Sequence, residues 1–310
     1  MTNDQIPKRP IVITGGDGFA GRYLRKELER EWPGVEAESW DLPDVDITKP
    51  ETYRDRLKDL QPEWLVHLAA ISSVPTAEQD PELVQRVNVE ASQNIFKAVQ
   101  ELSPKTKIFV TSSADIYGEA ARETGGSPLS ELRLDICQPL NVYARSKWEM
   151  EEMIEEKFRD RVLRVRPFPH IGPGQALGFV TADFASQVAL IEKGGQKPTI
   201  KVGSLEAKRD FTDVRDVARA YRTLMEQGEL GEVYHVASGE AIAIQEVLDK
   251  LLAMSEVEIT VEQDPERVRV GDIPVLVGDA GKLRALTGWK PEIPLEQSLR
   301  EILDWWREHT

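Results

Sequence analysis

The chain has 310 residues, 40% of them apolar and 30% charged, and a formal net charge of −15. No apolar run approaches the ~20 residues that cross a bilayer as a helix, and the negative balance works against non-specific binding to nucleic acid or to an anionic membrane surface. The length exceeds one ordinary domain and fits a large α/β domain with a smaller lobe appended.

The opening "MTNDQIPKRP" is polar and runs straight into an apolar strand with no signal-peptide core, so a cytoplasmic protein is expected. Strand-like and helix-like runs then alternate: "IVITG", "RYLRKELERE", "VEAESWD", "ETYRDRLKDL", "WLVHLAA", a helical stretch over 81–102, "KIFVTSS", a helix over 143–158 and "RVLRVRPF". That alternation marks βαβ units and predicts a doubly wound parallel sheet. Its strands are apolar on both faces, as burial between two helix layers requires. Within 81–102, Leu83, Val87, Ala91, Ile95 and Val99 recur every four residues and predict one continuous apolar face. Residues 169–211 are rich in Gly, Pro and Lys with brief β-like pieces such as "PTIKVG", which predicts loops and a small hairpin at the start of a second lobe. "TDVRDVARAYRTLME" predicts an amphipathic helix and "GEVYHVASG" a buried strand, so 212–238 is expected to return to the first sheet. Further helices follow over 240–310, the last with Leu295, Leu299, Ile302 and Trp306 at helical spacing. Trp305 and Trp306 are read as packing or oligomer contacts.

The histidines His67, His170, His235 and His309 lack metal-ligand spacing, so no metal site is expected. Cys137, the single cysteine, reads as an ordinary thiol.

"IVITGGDGFAGRYL" carries Gly15, Gly18 and Gly21 between a strand and a helix. Glycines so placed let backbone approach a pyrophosphate, which then rests on a helix N-terminus. The expected division is a dinucleotide-binding (Rossmann) domain over 1–168, joined by 212–238, and a substrate-binding lobe over 169–211 and 239–310. Asp41 ends the expected second strand, where a carboxylate accepts hydrogen bonds from ribose hydroxyls and repels a 2′-phosphate, so NAD is preferred over NADP. Asp46 either reaches the adenine amino group or caps a turn.

"NVYARSKWEMEEM" sets Tyr143 and Lys147 four residues apart, on one face of a helix. A free phenol titrates near ~10, and a close ammonium lowers that value, each unit corresponding to ~1.4 kcal/mol. YxxxK also arises by chance on an ordinary helix surface. The segment "KIFVTSSADIYG" lies one βα unit earlier and puts Ser113 at the C-terminal end of a strand, the edge where ligands bind a doubly wound sheet. There Ser113 can hold a carbonyl oxygen while Tyr143 moves the proton.

TGxxGxxG, "HLAA", SSxxxYG and YxxxK in this order resemble the extended short-chain dehydrogenase/reductase superfamily, which works on nucleotide-linked sugars, over about residues 9 to 306. Within it, "RPFPHIGPGQ", "GFV", "KRDFTDVRDV", "VYHVASG", "DPERVRV" and "TGWKPEIPLEQSLREIL" are most similar to the GDP-4-keto-6-deoxy-D-mannose reductases, which form GDP-D-rhamnose. The resemblance implies Ser113, Tyr143 and Lys147 as the catalytic set. It also implies cofactor contacts from Phe19, Leu68, Ala69 and Ala70 beside the glycines, Tyr143 and Lys147. A GDP-linked sugar would be held by Ser113, Asp115, Arg209, Arg269 and Asp272, the planar arginine forks gripping its diphosphate. A homodimer through the helices over 81–102 and 143–158 is implied as well.

Sugar dehydratases of the superfamily carry an adjoining acid and base after the catalytic hydroxyl, Asp or Ser followed by Glu; here those places hold Ala114 and Asp115. Alanine donates no proton, and Asp115 is one methylene short where transfer needs contact near ~3 Å. Asp115 instead hydrogen-bonds substrate or caps a turn. Reduction needs only hydride, an oxyanion holder and a proton donor. The expected reaction is therefore hydride transfer from NAD(P)H to the C4 ketone of a GDP-4-keto-6-deoxy-hexose. Epimerisation or dehydration on the same fold, and a dinucleotide-binding protein without turnover, stand as alternatives. One departure from the family is Pro169, where asparagine is usual; proline has neither a side-chain amide nor an N–H.

Overall fold

The computed structural model describes residues 6–267 and 273–310. Its first half alternates β1 (Ile11–Thr14), α1 (Phe19–Glu31), β2 (Ala37–Trp40), α2 (Arg54–Leu60), β3 (Trp64–His67), α3 (Val74–Gln79), α4 (Pro81–Val84), α5 (Ser92–Leu102), β4 (Lys107–Thr111), α6 (Glu119–Glu123), α7 (Val142–Lys157) and β5 (Val162–Pro167). There follow β6 (His170–Ile171), α8 (Val180–Glu192), β7 (Thr199–Val202), β8 (Lys208–Arg209), β9 (Thr212–Asp213), α9 (Val214–Gln227) and β10 (Val233–Val236). The chain ends with β11 (Ile242–Ala243), α10 (Ile244–Leu252), β12 (Thr260–Gln263), β13 (Val275–Leu276), α11 (Gly281–Thr287) and α12 (Leu295–His309).

Six strands form one sheet in the order β10-β5-β4-β3-β1-β2, every neighbouring pair parallel. The chain leaves β1 for β2 on one side and returns to β3 on the other, so the order reverses there and opens a crevice at the strands' C-terminal ends. Alternate side chains of β1 serve two cores. Ile11 and Ile13 pack with Leu24 and Leu28 of α1 and Val217 and Tyr221 of α9. Val12 packs with Leu57 of α2, Ile95 and Phe96 of α5, and Met150 and Ile154 of α7. Both faces being covered is the reason the strands read as unbroken apolar runs, and the architecture is the doubly wound α/β sheet expected.

A third core joins α8, α10 and α12 over β7, with Phe184, Val188, Leu248, Leu251, Leu299 and Leu303 at its centre. Here the structure corrects two expectations. Residues 169–211 contain a thirteen-residue helix, α8, where loops were expected. Ala182, Ala185, Val188 and Ala189 are all fully buried, so α8 shows little of the polar-to-apolar contrast that announces a surface helix. "PTIKVG" forms β7, but it pairs in parallel with β12, Thr199 opposite Thr260, rather than closing a hairpin.

The helical stretch over 81–102 is also corrected in detail. A π turn, Gln85–Ala91, separates α4 from α5, and its wider winding shifts the phase of the helix. Upstream, the buried positions are Val84 and Asn88, while Leu83 and Val87 are half-buried; the predicted stripe is fully buried only at Ala91, Ile95 and Val99.

Trp305 stacks on His309 with ring centroids 4.0 Å apart, and Trp306 packs on the third core. Cys137 is buried and its thiol is pushed up to about 11 by desolvation, which leaves it unreactive. Among the described residues no helix is long and apolar enough to cross a membrane, and no cluster of His, Cys, Asp or Glu could hold a metal ion.

Candidate active site

The glycine turn joins β1 to α1. Gly15 has a φ of +74°, and a Cβ there would come 2.7 Å from the Ala69 nitrogen. A Cβ at Gly21 would overlap the Gly15 carbonyl oxygen, so α1 and the 68–70 segment close on the turn only because these positions lack side chains. The Leu68 N–H donates to Thr14 O at 3.0 Å, fixing that segment against the end of β1. Gly18 precedes α1 with no capping side chain, which leaves the helix start suited to an anion. Phe19 stacks on His170, ring centroids 5.9 Å apart, and so links α1 to the segment after β5. At the end of β2, Asp41 accepts from the Asp17 N–H of the turn at 3.1 Å and from Ser39 Oγ at 2.6 Å. The donors and the carboxylate a dinucleotide requires are thus gathered at one edge of the sheet, and the residues fit such a group. Asp46 caps a turn: it accepts from the Thr48 N–H at 3.0 Å and Thr48 Oγ1 at 2.6 Å and pairs with Lys49. The Thr48 bonds in particular hold its carboxyl below the ordinary range.

Tyr143, Ser113 and Lys147 meet above the C-terminal end of β4. Asn141 starts α7 by accepting from the Ala144 N–H at 2.8 Å, and the i, i+4 spacing then turns Tyr143 and Lys147 to the same buried face. Lys147 Nζ donates to Thr111 O, the last residue of β4, at 2.8 Å. Desolvation draws the lysine down to about 8, against the opposing charge of Glu151. The Tyr143 phenol is pushed upward, first by burial and then by the nearby Asp115 carboxylate; a hydrogen bond with the Ser113 hydroxyl acts the other way. Ser113 Oγ also accepts from the Asp115 N–H at 3.1 Å.

Several groups that motif reading passed over support this set. Asn88, in the π turn, donates to Ser146 Oγ at 2.9 Å and clasps the backbone of Ile71, accepting at 2.8 Å and donating at 3.0 Å. Ser146 Oγ in turn donates to Tyr143 O at 2.8 Å. His67 bridges Thr14 Oγ1 and Ser92 Oγ at 2.7 and 2.8 Å, tying β1 to α5 through β3. One turn beyond Lys147, Glu151 is fully buried and takes both ends of the Arg166 guanidinium, at 2.8 and 2.9 Å. Arg166 also donates to Tyr117 Oη, which bonds His235 of β10. A signal for Glu151 existed: it is the next i+4 position after Lys147.

The expected substrate residues divide. Asp115 is half-buried beside Ser113 and Tyr143. Arg209 lies on β8 of the second lobe, its Nη1 donating to Ile273 O at 2.7 Å and to its neighbour Lys208 O at 2.8 Å. Arg269 and Asp272 lie outside the described residues. Pro169 uses its carbonyl to accept from the Thr212 N–H at 3.0 Å, which helps bind β6 to β9.

The model of the GDP-mannose 4,6-dehydratase family matches residues 12–302. GDP-6-deoxy-D-mannose reductase of Pseudomonas aeruginosa is 36% identical, the match covering 96% of each chain. The structure of RMD from Pseudomonas aeruginosa complexed with NADPH superposes with a TM-score of 0.84 at 34% identity, covering 98% of this chain and 100% of that one. UDP-glucose 4-epimerase of Thermus thermophilus, in complex with NAD, gives 0.82 at 25% identity, covering 97% and 100%. With the glycine turn, the buried Tyr143–Lys147 face and similarity along nearly the whole length in agreement, the chain belongs to the GDP-mannose 4,6-dehydratase family of extended short-chain dehydrogenases/reductases.

Proposed function

We propose that the protein is an NAD(P)H-dependent reductase of a GDP-4-keto-6-deoxy-hexose, acting on the C4 ketone to give a GDP-6-deoxy sugar such as GDP-D-rhamnose. The observation that carries this reading is the Ser113–Tyr143–Lys147 cluster at the sheet edge that also holds the glycine turn. When bound, the reduced nicotinamide supplies the hydride. Ser113 Oγ polarises the ketone oxygen, and Tyr143 Oη gives that oxygen its proton as the carbonyl is reduced. Lys147 stabilises the phenolate left behind, in a pocket that burial keeps dry. Elimination of water is poorly served: Ala114 is buried and has no proton to donate. Asp41 supports a preference for NADH, since its charge opposes a 2′-phosphate. Arg209, together with Arg269 and Asp272, is assigned to the nucleotide diphosphate and sugar.

The domain division belongs to the same proposal: 1–168 with 212–238 binds the cofactor, while 169–211 with 239–310 binds the sugar nucleotide. Support comes from the separate core around α8, α10 and α12. A homodimer through the helices over 81–102 and 143–158 is supported by half-buried Leu83 and Val87 on the first and by exposed Leu140 just before the second.

The test is to offer GDP-4-keto-6-deoxymannose with NADH and, separately, NADPH. Stoichiometric loss of the reduced cofactor with formation of a GDP-6-deoxy-hexose is expected. Turnover without net cofactor loss would mean an epimerase or dehydratase cycle, and tight nucleotide binding without turnover a non-catalytic protein.

A further inference from the structure

His67 ends β3, buried, with a partner at each ring nitrogen: Thr14 Oγ1 lies 2.7 Å from Nδ1 and Ser92 Oγ 2.8 Å from Nε2. The edge of Phe96 meets the imidazole with ring centroids 5.3 Å apart and holds its plane. Which nitrogen carries the proton follows from the groups at the two ends. Ser92 Oγ has a single proton and donates it to Asn88 O at 2.8 Å, so toward His67 it accepts and Nε2 donates. At the other end Thr14 Oγ1 faces the Ala69 N–H at 3.4 Å, and among the described residues the acceptor left for the threonine proton is Nδ1. The opposite tautomer would strand the Thr14 proton and turn the Ser92 proton away from Asn88 O; the Nε2–H form satisfies every group.

The bonds therefore run one way, from the Ala69 N–H through Thr14, His67 and Ser92 to Asn88 O. Asn88 then closes the path, its Oδ1 accepting from the Ile71 N–H at 2.8 Å and its Nδ2 donating to Ile71 O at 3.0 Å. Residues 68–71 are thus gripped at Ala69 and at Ile71 by one ring of hydrogen bonds that passes through the imidazole. The same residues lie against the glycine turn, where a Cβ on Gly15 would come 2.7 Å from the Ala69 nitrogen.

We propose that His67, held as its Nε2–H tautomer, is a positioning residue for the dinucleotide: it sets the 68–71 segment at the height over the glycine turn that the cofactor needs, without touching the cofactor. This rests on the function proposed above, which calls for that cofactor. Histidine suits the place because one rigid ring accepts at one end and donates at the other.

The experiment reads the tautomer and the affinity separately. In the free protein, with nitrogen-labelled histidine at neutral pH, Nδ1 of His67 should resonate as an unprotonated nitrogen and Nε2 as a protonated one, the signals being assigned by their loss in His67→Gln. A protonated Nδ1 overturns the proposal. Affinity is taken by titrating NADH and NADPH without substrate. Thr14→Val keeps the side-chain shape but removes the hydroxyl that joins Ala69 to Nδ1, so the dinucleotide dissociation constant should rise at least about fivefold. Thr14→Ser, which keeps the hydroxyl, should bind as the parent does. GDP affinity should be the same in all three, because the ring lies within the first lobe. Parental dinucleotide affinity in Thr14→Val, or a loss of GDP affinity alongside, overturns the proposal. Weakened dinucleotide binding in Thr14→Val, rescued in Thr14→Ser, with no turnover of 4-keto sugar nucleotides by the parent, would support the role of His67 while refuting the functional reading.

Discussion

Asp41 stands where a ribose hydroxyl must be told from a 2′-phosphate, and its carboxylate is already fixed by Asp17 and Ser39. Removing that charge as Asp41→Asn should lower the ratio of kcat/KM for NADH to that for NADPH by at least about tenfold, some 1.4 kcal/mol. An unchanged ratio would show that discrimination lies elsewhere. Glu151 presents a second residue-scale case. Burial alone would raise its carboxyl, but the bidentate Arg166 guanidinium, with Ser112 and Arg164 adding to it, holds it below the ordinary range. The folded value therefore lies under the unfolded one, so the pair stabilises the protein above the unfolded value and loses that contribution as pH falls through the folded one. Glu151→Gln, which strands a buried guanidinium, should cost about 3–5 kcal/mol in urea unfolding at neutral pH. A loss under about 1 kcal/mol would mean that water reaches Arg166.

At the level of elements, what could be read from the chain was what is local. The YxxxK face of α7 and the strand–glycine–helix turn each lie within one stretch, so residue spacing alone put Tyr143 with Lys147 and Gly15 with Gly21. The contacts that complete the site join distant segments: Lys147 to Thr111, Asn88 to Ser146, Glu151 to Arg166. Such partners leave no periodicity to find. Helix α8 escaped because burial on several sides erased its amphipathic signal, and the π turn escaped because one added residue per turn changes no composition. Asp46 looked equally fit for a ligand or a cap, and its bonds to Thr48, a partner two residues on, show the cap. That π turn also leaves Val87 half-buried on the face assigned to a second copy of the chain. Val87→Glu should shift sedimentation from dimer to monomer at micromolar protein, and a variant that remains dimeric would move the interface away from this helix.

Across the whole molecule, the parallel sheet encloses two neutral histidines, His67 on β3 and His235 on β10, each lowered to about 3 chiefly by burial. Unfolded histidine takes up its proton near ~6.5. The unfolded chain therefore binds more protons below that pH, and stability should fall as pH drops from about 6.5 toward 3, by up to about 1.4 kcal/mol per pH unit for each histidine. The urea midpoint should begin to decline before the carboxylates titrate, and the decline should be shallower in His67→Gln. A midpoint flat down to about pH 5 would contradict this. The two lobes, the crevice and the buried charges all converge on the proton held by Tyr143. The most direct test of that convergence compares single-turnover reduction of GDP-4-keto-6-deoxymannose by the parent and by Tyr143→Phe, with the cofactor dissociation constant measured for both. The rate should fall about 10²–10⁴-fold while cofactor affinity stays within a few-fold; a Tyr143→Phe rate close to that of the parent would contradict the account.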